Sequence, residues 1–385
     1  MRTAVTDMLG IEFPIFAFSH CRDVVAAVSK VGGLGVLGAV AHTPEQLEID
    51  LAWIEAEVGD RPFGVDLIVP ARYAGDEGGG YSMDDVRRLI PAEAKAFVDD
   101  ILRRYEVPEL PAEEADGGRG SGGRSVGQGT AAPFSATAAG PQLEIALAHR
   151  TAFVANALGP PPQFLIDRVK EEGRLVGALA GKAVHAERHV QAGVDIIIAQ
   201  GSEAGGHTGE IGTMVLIPEV VDAVAPVPVL AAGGIGRGRQ MAAAMALGAA
   251  GVWCGSVWLT TDEAETHEVV KEKMLAATSA DTLRSRSLTG KPARMLRSAW
   301  TDEWARPDTV DPLGMPLQSI LAAEAQRRIN RAAYTKGSGA EKLANYFVGQ
   351  VVGTMNSRKK SAQVVLDMVD EFIDATQALA AQLDA

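Results

Sequence analysis

His207 is the residue of this chain best placed to do acid–base chemistry. It stands in the stretch IIIAQGSEAGGHTG, Ile196–Gly209, where an apolar run passes straight into a polar, glycine-dense turn. Imidazole titrates near neutral pH, so it can take or give a proton there. Gly201, Gly205, Gly206 and Gly209 allow positive φ and close approach to a flat ligand. Gln200 carries a donor and an acceptor on one amide, which suits the edge of a ring with alternating donors and acceptors. His42, His149, His185, His189 and His267 lack such a setting and read as packing or surface residues. No second histidine or cysteine lies at ligand spacing from His207, and Glu203 alone would not hold zinc, so no metal is expected.

A second constellation lies downstream. Ala231–Gly236 contains Gly233 and Gly234 and leads through Arg237-Gly238 into a helical stretch, and Cys254-Gly255-Ser256 follows the next apolar run. Glycine turns bring backbone N–H groups close to phosphate oxygens, and a serine hydroxyl adds a donor. Two such turns on consecutive final strand–helix units point to a phosphate-bearing ligand. Gly33, Gly35 and Gly38 match G-x-G-x-x-G only in letters, because a helix precedes them and a strand follows. Asp66, near the end of an apolar run, is either a polar contact to the same ligand or a satisfied core carboxylate. His20 and Cys21 fall on the same face, with structural and substrate-lining roles both open. Arg284, Arg286, Lys291, Arg294 and Arg297 cluster in an otherwise acidic chain. They form either a solvated face or a receiver for a polyphosphate such as that of coenzyme A.

These residues need a scaffold that gathers strand ends. Strands are expected at Ile11–Ser19, Leu34–Val40, Phe63–Val69, Thr151–Leu158, Leu175–Leu179, Asp195–Ala199, Val227–Ala232 and Gly251–Cys254. Helices separate most of them, among them Asp23–Val31 with Asp23 as N-cap and Thr43–Val58 capped by Thr43. Such βα alternation implies a parallel sheet, and eight units in roughly 250 residues fit a (β/α)8 TIM barrel. The rhythm breaks over 71–140, a long insertion after strand three whose Gly/Ser-rich part reads as a lid or linker. We expect a barrel over 1–261 and a small, mainly helical region over 262–385. The last helix, Ser361–Leu383, is expected to pack back on the barrel.

Composition narrows the partners. The chain has 36 basic and 49 acidic residues, a net charge of −13, which argues against nucleic-acid binding. Cys21 and Cys254 are too few and too far apart for a disulfide framework. No apolar run near the N-terminus suits a signal peptide or membrane span, so a cytoplasmic protein with a small-molecule substrate, possible as a homodimer, is expected.

Taken together, AQGSEAGGHTG, PVLAAGGIG and GVWCGSVWLTTDEA resemble the nitronate monooxygenase (2-nitropropane dioxygenase) family of FMN-dependent barrels. The likeness runs from Ile11 to Ala264. It implies FMN as cofactor, contacted by Gln200, Gly201, Gly205, Gly233, Gly234, Gly255 and Ser256, by the backbone of Ala17 and Phe18, and by Asp66, where the family usually shows Asn. It implies His207 as the active-site histidine. Of the C-terminal tyrosine-and-lysine pattern of bacterial members, Tyr334 and Lys336 are only a partial echo. The implied reaction is oxidation of alkyl nitronates with dioxygen. The alternatives are an FMN-dependent reductase or dehydrogenase of a CoA thioester, an NAD(P)H:quinone reductase and, in another class, a non-catalytic phosphate-binding barrel.

Overall fold

Short apolar runs become parallel strands where both faces can be buried. A computed structural model of the chain describes residues 1–40, 42–69, 83–111, 136–157 and 159–383. Eight strands close a barrel: β1 (Ile15–Ser19), β2 (Leu34–Gly38), β3 (Gly64–Leu67), β4 (Phe153–Asn156), β5 (Leu175–Ala180), β6 (Ile196–Gln200), β8 (Val229–Ala232) and β9 (Gly251–Cys254). Each is parallel to its neighbours, and β9 returns to β1. The intervening β7 (Gly206–His207) belongs to a separate sheet. The chain is thus a (β/α)8 barrel with an insertion after β3 and a mainly helical C-terminal region.

Alternation along the strands sorts side chains into two sets. Val65, Leu67, Ile197, Ala199, Ala231 and Val252 face outward to the helices, while Phe16, Val36, Phe153, Ile198, Leu230 and Trp253 face inward. Phe16, Phe153 and Trp253 plug the interior with ring centroids 5.8–6.3 Å apart. Gly177 makes room for this plug, since a Cβ there would fall 2.2 Å from the Phe153 ring. The helix Ala4–Leu9, outside the elements expected above, adds Val5 and Leu9 to the inner cluster. Its six residues, capped by Thr3 and ended by Gly10, are too short to show a helical period.

Two helix starts show how local chemistry sets boundaries. Thr43 caps Pro44–Val58 by accepting from the Gln46 N–H at 3.2 Å. Asp23, expected to cap the preceding helix, instead lies in the first turn of Arg22–Lys30; Cys21 is the N-cap residue and makes no side-chain cap. A carboxylate inside the first turn still favours the helix dipole.

The insertion's Gly/Ser-rich run and its expected lid role lie outside the described residues. Its helix Ala92–Arg104 is anchored to the C-terminal region. Arg104 forms a bidentate pair with Glu303, both bonds 2.7 Å, and holds that carboxyl down at about 2. Phe97 packs edge-on against Trp304. The helix Ser361–Ala381 lies against Gly238–Ala246 so closely that a Cβ on Gly238 would come 2.2 Å from the Met368 carbonyl. Among the described residues, no helix is long and apolar enough to cross a membrane.

Candidate active site

At the C-terminal ends of the strands, the inward-facing positions form one rim. The register aligns Gly38 with Asp66 and Asp66 with Ala155, and it aligns Gln200 with Ala232. Phe18 stacks on Trp253 below the rim, centroids 5.9 Å apart. Ala17 differs: its side chain faces the outer core, so only its main chain could meet a ligand. The Gln200 amide has no hydrogen-bond partner among the described residues.

The two glycine turns sit side by side, because β8 pairs with β9. Gly233 and Gly234 adopt φ of 104° and 69°, which side chains rarely tolerate. The N–H groups of Gly233, Gly234, Gly255 and Ser256 have no acceptor among the described residues. Those of Gly236 and Arg237, by contrast, donate to Gln240 Oε1 at 2.9 and 3.0 Å. The next helix start is also taken: Glu203 accepts from the Thr213 N–H (2.9 Å) and hydroxyl (2.8 Å). The donors free to meet an anion therefore belong to the two turns rather than to a helix terminus. Their neutral N–H set fits the phosphate of a mononucleotide cofactor.

His207 lies beyond the rim, on β7. That two-residue strand pairs antiparallel with β11 (Ala293–Leu296), itself the partner of β10 (Thr282–Ser285). The pairing fixes the imidazole: Nδ1–H donates to the Pro292 carbonyl at 3.1 Å, which assigns the proton to Nδ1 and leaves Nε2 as an acceptor. The side chain keeps solvent access, but desolvation by its neighbours lowers the pKa, the Pro292 bond opposes this, and nearby Lys291 lowers it further. These causes favour the neutral ring, the form a general base requires.

The basic cluster is mostly committed to building this cover. Arg284 Nη2 donates to Thr208 O (3.2 Å), and Arg294 donates through Nε to Ser202 O (3.0 Å). Arg286 holds Gly290 O and Pro312 O, and Arg297 pairs with Asp302. These bonds weigh against a polyphosphate receiver. Cys21 donates its thiol to Glu263 O at 3.0 Å, and burial pushes it up to about 11, which makes it structural. His20 reaches over β2, its Nδ1 2.8 Å from Gly38 O, with its pKa lowered by burial.

A C-terminal segment completes the cover, and sequence reasoning missed it. Phe347 bridges to Met295, with its ring 6.5 Å from His207. Gly349 donates its N–H to Ser256 Oγ (2.8 Å), and Gln350 donates to Glu203 O (2.9 Å). The tyrosine near the site is Tyr346, its ring tilted against that of Phe347, whereas Tyr334 is exposed and packs on His267. The aromatic pair Tyr346-Phe347 ahead of Gly349 was the available signal.

Glu203 thus ties the loop to a helix start through its carboxylate and to the C-terminal segment through its carbonyl. Glu203→Ala should cost ~1–3 kcal/mol by stripping the Thr213 N–H of its acceptor, while the hydroxyl keeps the Gly233 carbonyl at 3.0 Å. A lowered thermal midpoint with unchanged far-UV circular dichroism would show it; an unchanged midpoint would contradict it.

Glycine turns on the last two strands and the imidazole of the loop after β6 gather at the C-terminal end of the barrel, where barrel enzymes carry their sites. The family model described as nitronate monooxygenase matches residues 2–99 and 125–371, and the chain belongs to that family and is an oxidoreductase. It is 59% identical over 379 residues to the Mycobacterium tuberculosis protein "Putative monooxygenase Rv1533", with 98% of each chain covered. It is 30% identical to a "Probable nitronate monooxygenase" of Staphylococcus haemolyticus, with 97% of each covered. A nitroalkane oxidase from Streptomyces ansochromogenes has a similar structure, with TM-score 0.76 and 27% identity over 98% of this chain and all of that one.

Proposed function

We propose that the protein is an FMN-dependent enzyme that oxidises alkyl nitronates with dioxygen. The reading rests on one arrangement above all: His207, its Nδ1–H held by Pro292, on the loop that follows β6, beside a rim whose N–H groups at Gly233, Gly234, Gly255 and Ser256 have no acceptor among the described residues. Those N–H groups, with the Ser256 hydroxyl, would hold the FMN phosphate. Gln200 and Asp66, on the inward face, would meet the ring, with Gly201 and Gly205 giving it clearance and the Ala17–Phe18 main chain lying alongside. Bound FMN supplies the electron transfer that the amino acids cannot.

The chain's own groups select and prepare the substrate. His207 Nε2 takes a proton from the carbon next to a nitro group, or orients a nitronate that arrives already deprotonated. Lys291, close enough to bias that imidazole, favours an anionic substrate there. The hairpin β10–β11 and the Tyr346–Gln350 segment cover the loop.

Purified protein should be yellow and should release FMN on denaturation. Under anaerobic conditions an alkyl nitronate should bleach the flavin band faster than NADH, NADPH or an acyl-CoA. Bleaching by NADH or an acyl-CoA alone would replace this reading with a reductase, and a chain that stays colourless after reconstitution would end both.

A further inference from the structure

Asp66 is a buried carboxyl that no described residue holds. It is 4% exposed, and its Oδ1 has no hydrogen-bond partner among the described residues. Alternation along β3 turns it inward, since Val65 and Leu67 on either side belong to the outer core. Register places it at the mouth, level with Gly38 and Ala155. A buried polar atom left unpaired is costly, so one that is kept at a ligand-binding rim asks for a ligand-linked role.

Among the described residues, the surroundings supply no countercharge. β2 ends in Gly38 beside Asp66, and β4 (Phe153–Asn156) carries no titratable side chain. The helix Ala136–Ala148 contributes only Glu144, which pairs outside with Arg168. His20 is engaged with Gly38 O, and His42 with Asp50. Among the described residues desolvation therefore sets the carboxyl's titration, which rises to about 7.

We infer that Asp66 takes up a proton when the bound flavin is reduced and gives it up when the flavin is reoxidised. This rests on the flavin reading above. A flavin gains negative charge on reduction when two electrons arrive with one proton. A carboxylate in the same low-dielectric mouth then becomes costlier to keep ionised. The balance is two electrons from the reductant, one proton from solvent to the flavin and one from solvent to the Asp66 carboxylate, with no bond broken beyond these transfers. Reoxidation releases both protons. Below about pH 7 the carboxyl is already protonated, so the second uptake disappears.

The midpoint potential of the holoenzyme, measured by dithionite titration from pH 6 to 9, tests this without reference to turnover. For a two-electron couple each proton adds about 30 mV per pH unit. Above about pH 7 the wild type should show a slope steeper by about 30 mV per pH unit than Asp66→Asn, with the two curves merging below it. Asparagine keeps the shape and removes the buried charge, so the variant should fold at least as well above pH 7. Redox-difference infrared spectroscopy on the wild type needs no variant: at pH 8, reduction should add the C=O band of a protonated carboxyl. A yellow protein with parallel potential curves and no carboxyl band would overturn the inference alone. A chain that binds no flavin would overturn the functional reading and this inference with it.

Discussion

His207→Gln should lower turnover of neutral nitroalkanes by about 10²–10⁴-fold, the usual contribution of a positioned acid–base group, while flavin content stays unchanged. Glutamine can still donate to the Pro292 carbonyl and fill much of the same space, but it has no nitrogen that accepts a proton near neutral pH. Nitronates arrive already deprotonated, so their turnover should fall less, and mainly through KM. That split separates a base from an orienting contact. The wild-type acid limb should follow the same group. Burial puts the imidazole below its ordinary 6.5, and protonation removes the base. Activity on nitroalkanes should therefore hold as pH falls to 6.5 and drop only below it, a limb absent from the variant's residual activity. Equal losses on both substrates would make His207 an orienting residue, and full activity on both would remove it from the mechanism.

The barrel was legible because parallel strands, buried on both faces, appear as short apolar runs such as Ile196–Ala199 and Gly251–Cys254, and glycine turns punctuate them. The strand end bearing Gln200 and the paired turns at Gly233-Gly234 and Gly255-Ser256 were legible for the same reason: chain order alone makes β8 and β9 neighbours. The cover over the mouth was not, because it is built from non-local pairings. Gly206 and His207 form a strand only because Ala293 and Arg294 lie beside them, eighty-odd residues away. In sequence, β10 and β11 were masked by arginines, which gave the stretch a charge run's appearance. Arg284 and Arg294 in fact point their donors at carbonyls of the histidine loop. Likewise the aromatic pair ahead of Gly349 marks a buried segment but does not say that its N–H reaches Ser256. Asp66 was visible as a polar residue in an apolar run, but its lack of a partner among the described residues depends on what β2 and β4 place around it.

Gly233→Ala should weaken FMN binding by about 10- to 100-fold, roughly 1.4–2.8 kcal/mol, read as flavin lost on dialysis or as fluorescence released on dilution. Two costs act together. The turn holds φ at 104°, where a Cβ strains the backbone, and that Cβ would fall 2.9 Å from both Gly201 O and Thr213 Oγ1. The carbonyl is backbone and cannot swing aside. Relief must come from moving the turn, which re-aims the N–H groups of Gly233 and Gly234 proposed for the phosphate, or from moving Gly201, which leads into the histidine loop. Gly59→Ala provides the matched comparison. Gly59 also has positive φ, 61°, but a Cβ there meets nothing within 4 Å, at the end of the helix Pro44–Val58. It should lose ~1 kcal/mol of stability and no flavin. If both variants lost flavin equally, the loss would report general strain rather than a phosphate turn. If Gly233→Ala kept its flavin, the anion site would have to be sought away from β8.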